Sequence, residues 1–160
     1  MNRTVIVAVA AAIVLSAACI GIWYSQSNGP GTDEDDPVSP KVDGMALLMT
    51  VDGKKVDVNW EDNPSVDAIK KLAKDGMIVE MQRYGGFEQT GSMVKSIVRN
   101  DSLIDVGLGD IVLYNGVQIC LYFDNNSYSF TKLGKITGMS ASEIRGMLDR
   151  PNVTAVFTLE

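Results

Sequence analysis

The sequence predicts a mainly β protein: a closed eight-stranded β-barrel with two helices, preceded by an N-terminal transmembrane helix and a disordered linker. Three observations lead there. Turn pairs such as Asp52-Gly53 and Asn115-Gly116 punctuate runs of alternating apolar residues. Two stretches with helical spacing begin at capping residues and end at a glycine or before a proline. Finally, the first forty or so residues differ in composition from everything after them.

Residues 1–24 contain the apolar run Val5–Tyr24, which has no charged side chain. As a helix of about twenty residues it would rise about 30 Å, the thickness of a bilayer's hydrocarbon core. Trp23 and Tyr24 close the run, where amphipathic rings favour the headgroups. Arg3 precedes it and the acidic stretch Asp33–Asp36 follows, so the positive-inside rule places the domain on the extracytoplasmic side. Two alternatives remain open: a cleaved signal peptide cut near Ser16-Ala17-Ala18, and a lipoprotein signal in which Cys19 carries the lipid. The anchor is favoured because Ile20–Tyr24 stays apolar beyond either cut. Residues 25–43 are rich in Gly, Pro, Ser and acidic side chains, bury too little to offset their ordering entropy, and are expected to be a disordered tether.

Residues 44–160 form the expected barrel domain. Met45–Val51 is an apolar strand, Asp52-Gly53 turns the chain, and Val56, Val58 and Trp60 alternate along the return strand. Asn63 as N-cap and Pro64 in the first turn open a helix whose inner stripe is Val66, Ile69, Leu72 and Ala73; Gly76 stops it. Met77–Tyr84 reads as a strand, Gly85–Gly91 as a loop and Met93–Val98 as a fourth strand. Ile111–Tyr114 and Val117–Phe123 flank Asn115-Gly116, and Tyr128–Leu133 follows the turn at Asp124-Asn125-Asn126. Ser140 and Glu143 have capping-box spacing before Ile144, Met147 and Leu148; Pro151 bars continuation, and Asn152–Leu159 closes as a strand.

Composition removes several classes of function. The chain has a net charge of −6 and no histidine. After Lys41 acidic and basic residues are intermixed, without the basic face that neutralises nucleic-acid phosphates, so nucleic acid is not expected as a partner. Zinc sites of the usual Cys/His type and histidine-based catalytic triads lack their ligands and base. Cys19 and Cys120 lie in dissimilar segments, and Cys120 reads as a small buried apolar residue. No glycine-rich phosphate loop or other cofactor motif occurs, so no cofactor and no metal are assigned. Acceptor triplets for N-glycosylation begin at Asn100, Asn125 and Asn152, in keeping with an external location.

The blocks Tyr84–Glu88, Gly109–Tyr114, Asn126–Ser129 and Thr131–Lys135, with the Asp52-Gly53 hairpin, resemble the bacterial and archaeal cyclophilin-like domain family. The resemblance spans about Met45 to Glu160 and implies an eight-stranded barrel closed by two helices, as in cyclophilin-type prolyl isomerases. The family's biochemical role is generally unassigned. In cyclophilins an arginine, a phenylalanine and a glutamine face a tryptophan and a histidine across a groove. Arg83, Phe87 and Gln89 match the first three with shorter spacing; no histidine exists, and Trp23 and Trp60 lie outside the matching region.

No catalytic residue is therefore assigned. The candidate ligand-binding residues are Arg83, Tyr84, Phe87, Gln89, Tyr128 and Phe130. Each also has an ordinary reading: Arg83 as a surface partner of Glu80 or Glu88, Phe87 as a plug, Tyr128 and Phe130 as strand packing. The favoured function is a membrane-tethered, extracytoplasmic peptide- or small-ligand-binding module without strong catalysis. The alternatives are a divergent prolyl isomerase acting on exported proteins, with Arg83 and Gln89 at the amide, and a structural partner domain of an envelope complex.

Overall fold

The computed structural model describes residues 44–160. The expected membrane segment (1–24) and linker (25–43) lie outside the described residues. Among the described residues no helix is long and apolar enough to cross a membrane.

Turn chemistry sets the first hairpin. Asp52 and Gly53 both have positive φ, 48° and 78°, as a two-residue turn between twisted strands requires. The turn joins β1 (Leu47–Val51) to β2 (Lys54–Trp60), with Val51 opposite Lys54. Asn63 then caps α1 (Pro64–Leu72) by accepting a hydrogen bond from the Val66 amide at 3.0 Å. A short 3₁₀ turn over Ala73–Asp75 and Gly76, at φ +86°, redirect the chain into β3 (Met77–Tyr84).

The middle of the chain departs from expectation. Gly85 and Gly86, both at positive φ, make a tight turn rather than the start of a long loop, and β4 (Glu88–Ser92) follows at once. The expected strand at Met93–Val98 does not form. Its buried side chains are Met93 and, in part, Ile97, four residues apart; Val94 and Val98 are exposed. A strand would require a period of two. The segment is fastened instead by single bonds: the Met93 and Ile97 amides to the Val117 and Gly116 carbonyls, and the Ser65 hydroxyl to the Val98 carbonyl. A further strand, β5 (Ser102–Val106), lies in a stretch to which the sequence reading assigned no element.

The remaining strands are β6 (Asp110–Tyr114), β7 (Gln118–Tyr122), β8 (Asn126–Thr137) and β9 (Asn152–Leu159), with α2 (Ala141–Leu148) before β9. The expected capping box is present: the Ser140 hydroxyl accepts from the Glu143 amide, and the Glu143 carboxylate accepts from the Ser140 amide. The strands are ordered β2-β1-β9-β3-β4-β7-β6-β8, and β8 pairs again with β2, so eight strands form a ring. The ninth, β5, pairs with β8 alone. All pairings are antiparallel.

Strand alternation assigns the two faces of the ring. Met49, Val79, Met81, Leu113, Ile119, Leu121, Leu133 and Phe157 point inward with the buried faces of α1 and α2 and make the main core. Each such side chain contributes about 1.5–3 kcal/mol through removal from water. A second, smaller cluster forms outside the ring from Val106, Val112, Cys120, Tyr122 and Phe130. It exists because β8 belongs to two sheets. Its first half, Asn126–Phe130, pairs only with β5, and its second half pairs with β6 and β2. A register shift between Ile111 and Val112 accompanies the change, as bulges do where a strand bends.

Candidate functional site

The outer cluster is open on one side and encloses a groove of about 440 Å³. That volume falls within the roughly 300–1,000 Å³ typical of small-molecule sites. Glu88 and Thr90 of β4 and Gln118, Cys120 and Tyr122 of β7 supply one side, because alternation sends these residues outward when Ile119 and Leu121 face the core. Asn126, Tyr128 and Phe130 of β8 supply the other, with Tyr114 from β6. Tyr84 and Phe87, flanking the two-glycine turn, close one end.

Aromatic rings dominate this lining. Phe87 stacks on Tyr122 with centroids 6.1 Å apart and planes 5° from parallel. Tyr114, Tyr128 and Phe130 lie 5.7–6.0 Å from one another at steep mutual angles, and Tyr122 meets Phe130 edge-on at 5.9 Å. Pairs of this kind add roughly 0.5–1.5 kcal/mol beyond their burial, so the walls are held firmly. Tyr84 and Tyr128 remain more than half exposed at the rim.

Glu88 is the exception to this lining. It is only 7% exposed, and its Oε2 is buried without a hydrogen-bond partner. Burial pushes its carboxyl above the ordinary value of 4.5; the neighbouring Tyr122 hydroxyl and Cys120 thiol oppose that rise. The same surroundings act on those neighbours. Burial, and then the Glu88 charge, push the Cys120 thiol up to about 12, and burial and Glu88 raise Tyr122 as well. The Tyr122 hydroxyl accepts from Asn126 Nδ2 at 3.2 Å, and Thr90 Oγ1 lies 3.4 Å from Cys120 Sγ. No lysine or arginine lines the groove.

Four of the six expected site residues, Tyr84, Phe87, Tyr128 and Phe130, converge here. Arg83 and Gln89 do not. They pair across β3 and β4 one position away from Tyr84 and Glu88, so alternation turns them to the opposite face. Arg83 forms an ion pair with Asp149 at 2.8 Å, not with Glu80 or Glu88, and lies 5.8 Å from the Phe123 ring centroid. Gln89 is fully buried and donates to the Leu148 and Arg150 carbonyls at 2.7 and 2.6 Å. Both residues fasten the end of α2.

Glu88, Cys120, Tyr122 and Tyr114 escaped the sequence reading. Glu88 and Tyr122 sit directly opposite each other on β4 and β7, a proximity invisible while residues 85–91 were taken for a loop. The signal available was the alternation Gln118, Cys120, Tyr122 against Ile119 and Leu121, which marks a strand with an apolar inner face and a mixed outer one.

A second depression of about 600 Å³ lies between β2 and α1, with Lys55, Asp57, Asn59, Asp67 and Lys70 on its walls. These are hydrated surface side chains, and it holds no buried polar atom lacking a partner. It has less claim as a specific site. Among the described residues no cluster of three or more histidine, cysteine or acidic side chains has the geometry to hold a metal ion.

Comparison with known families gives one match: a model described as a cyclophilin-like family covers residues 49–158, more than half of the chain. No curated protein matches the chain closely enough to count as a relative.

Proposed function

The chain belongs to the cyclophilin-like family, and from that premise we propose that its described part is a ligand-binding module built on a closed eight-stranded barrel. The ligand occupies the groove outside the ring, between the β5–β8 arm and strands β4, β7 and β6. The carrying observation is the Glu88 carboxyl: a buried oxygen without a partner, in a cleft otherwise walled by aromatic rings. An unpaired buried acceptor costs roughly 1–3 kcal/mol. Folds retain such a cost where a ligand relieves it.

The aromatic walls suit a ligand with an apolar body, either a small organic molecule or a peptide side chain. Binding rather than catalysis is favoured because no histidine or cation among the described residues stands beside the Cys120 thiol to stabilise its thiolate, and burial and the Glu88 charge push that thiol up to about 12. The isomerase alternative needs a cationic donor at the twisted amide, and Arg83 and Gln89 are engaged with α2 instead. The apolar Val5–Tyr24 run and the acidic linker support a module tethered to the outer face of a membrane.

A thermal-shift screen of small metabolites and short peptides tests the reading. Stabilisation that Phe87→Ala and Tyr128→Ala abolish is the expected result. Stabilising ligands whose effect survives both substitutions would place binding elsewhere.

A further inference from the structure

We infer that the group this groove recognises is a positively charged nitrogen, a substituted ammonium held between the Tyr114, Tyr128 and Phe130 rings and the Glu88 carboxylate. The inference rests on the groove being a ligand site and adds the chemistry of its ligand.

Three features of the lining agree on the sign of charge. Aromatic rings present negative charge density on their faces, and a cation held over them is attracted, more strongly when it is desolvated. Three mutually inclined rings within about 6 Å of one another line the groove, so that differently oriented ring faces are offered to a small head group. Glu88 is the one acidic side chain on the lining, and its Oε2 lacks a donor. Among the described residues no lysine or arginine fills that role in the groove; Arg83, the cation nearest in sequence, faces α2. An anionic ligand would meet carboxylate and ring quadrupoles of its own sign. A neutral apolar ligand would leave Oε2 unpaired. An ammonium group satisfies both at once.

Of the other groups around Glu88, the Cys120 thiol and Tyr122 phenol from β7 are held protonated near pH 7, Asn126 from β8 does not ionise, and Tyr84 from β3 stands opposite Glu88 in the strand pair. Glu88 is therefore the titrating partner. A cation favours its ionised form, so binding releases a proton wherever the free carboxyl is partly protonated, and affinity rises with pH through that range. The ammonium has two available sources, a free amine or the end of a basic side chain.

Titration of the full chain in detergent with choline, with its uncharged carbon isostere 3,3-dimethyl-1-butanol, and with N-acetyl-lysine amide tests the inference. At least one of the two cations is expected to bind about tenfold or more tighter than the isostere, a difference of about 1.4 kcal/mol. Tyr114 and Tyr128 resonances should shift, and affinity should rise with pH. Glu88→Gln should bring cation and isostere within about twofold of each other. Preference for choline identifies a free amine as the source, and preference for the lysine derivative a peptide. If the isostere binds as tightly as both cations, or Glu88→Gln leaves the preference intact, the ammonium inference falls while the groove survives as a ligand site. If neither cation shifts groove resonances but another ligand does, the inference falls in the same way. If no ligand of any charge perturbs the groove, the binding-module reading itself fails.

Discussion

Arg83 and Gln89 stand opposite each other on β3 and β4, and both reach the same end of α2. The guanidinium takes Asp149 at the surface, and the buried amide nitrogen donates to the Arg150 carbonyl and to the Leu148 carbonyl, which also accepts from the Arg150 amide, while Gln89 Oε1 is left without a partner. The two residues that most resembled a catalytic pair are thus a clasp between sheet and helix. Gln89→Ala should destabilise the fold by about 2 kcal/mol, because two hydrogen bonds of a fully buried side chain are lost and its volume is left empty. Arg83→Ala should cost about 1 kcal/mol or less, since both ends of that ion pair are close to half exposed. Urea denaturation midpoints measure both, and neither change should alter ligand affinity in the groove.

Glu88→Gln should stabilise the folded chain at neutral and alkaline pH. Burial raises the Glu88 carboxyl above 4.5, so between that value and the raised one the folded state holds a proton that the unfolded state has released, and above it the buried charge costs the folded state stability. The stability linked to this group is complete below about 4.5 and declines as pH climbs through the raised folded value. Glutamine does not titrate and escapes the decline. The melting temperature of the variant should exceed that of the parent at about pH 8, and the gap should narrow as the pH falls. A constant gap across the range would show that Glu88 is not the titrating group.

Much of this architecture is legible in local chemistry. Asp52-Gly53, the Asn63-Pro64 helix start and the Ser140–Glu143 capping box each act within a few residues, and each lies where the sequence placed it. Met93–Val98 misled because β-branched content imitates a strand, while its burial follows a spacing of four set by the neighbouring turn at Gly116. Strand β5 was missed for the opposite reason: Leu103 is exposed and Asp105 interrupts, so no alternating pattern advertises a strand paired on one side only. The groove follows the same logic. Tyr128 and Phe130 are recognisable as ring-bearing strand positions, but Glu88 gains its character from Tyr122 and Cys120, more than thirty positions away in the chain.

Cys120 should be inert to thiol reagents in the folded state. It is 2% exposed, and its thiol is pushed up to about 12, so almost none of it is thiolate at neutral pH. In a Cys19→Ser background, Ellman's reagent should label nothing on native protein within minutes and one thiol per chain in guanidinium. Rapid native labelling would mean that the outer cluster opens easily.

Two glycines hold strands in close approach. A Cβ at Gly91 would come within 2.5 Å of the Glu80 carbonyl oxygen, and one at Gly134 within 2.7 Å of the Asn59 carbonyl oxygen. Backbone atoms cannot swing aside as side chains do. Gly91→Ala and Gly134→Ala should each cost about 1–3 kcal/mol, the usual penalty of overpacking. Gly134 pairs with Trp60 on one side and Ile111 on the other, so its variant should loosen the seam where the ring closes. Thermal denaturation followed by circular dichroism reads both effects.

The double membership of β8 divides one continuous strand into two dynamic regimes. Amides in Asn126–Phe130 are tied to β5 alone, whereas those beyond Thr131 are shared between β6 and β2 inside the ring. Hydrogen exchange should therefore change steeply within a few residues of Thr131, from sub-global opening on one side to exchange at the global unfolding free energy on the other. A ligand seated against Tyr128 and Phe130 would erase that step. Its affinity would be written into the protection of the Asn126–Phe130 amides that bond to β5 before any side chain reported it.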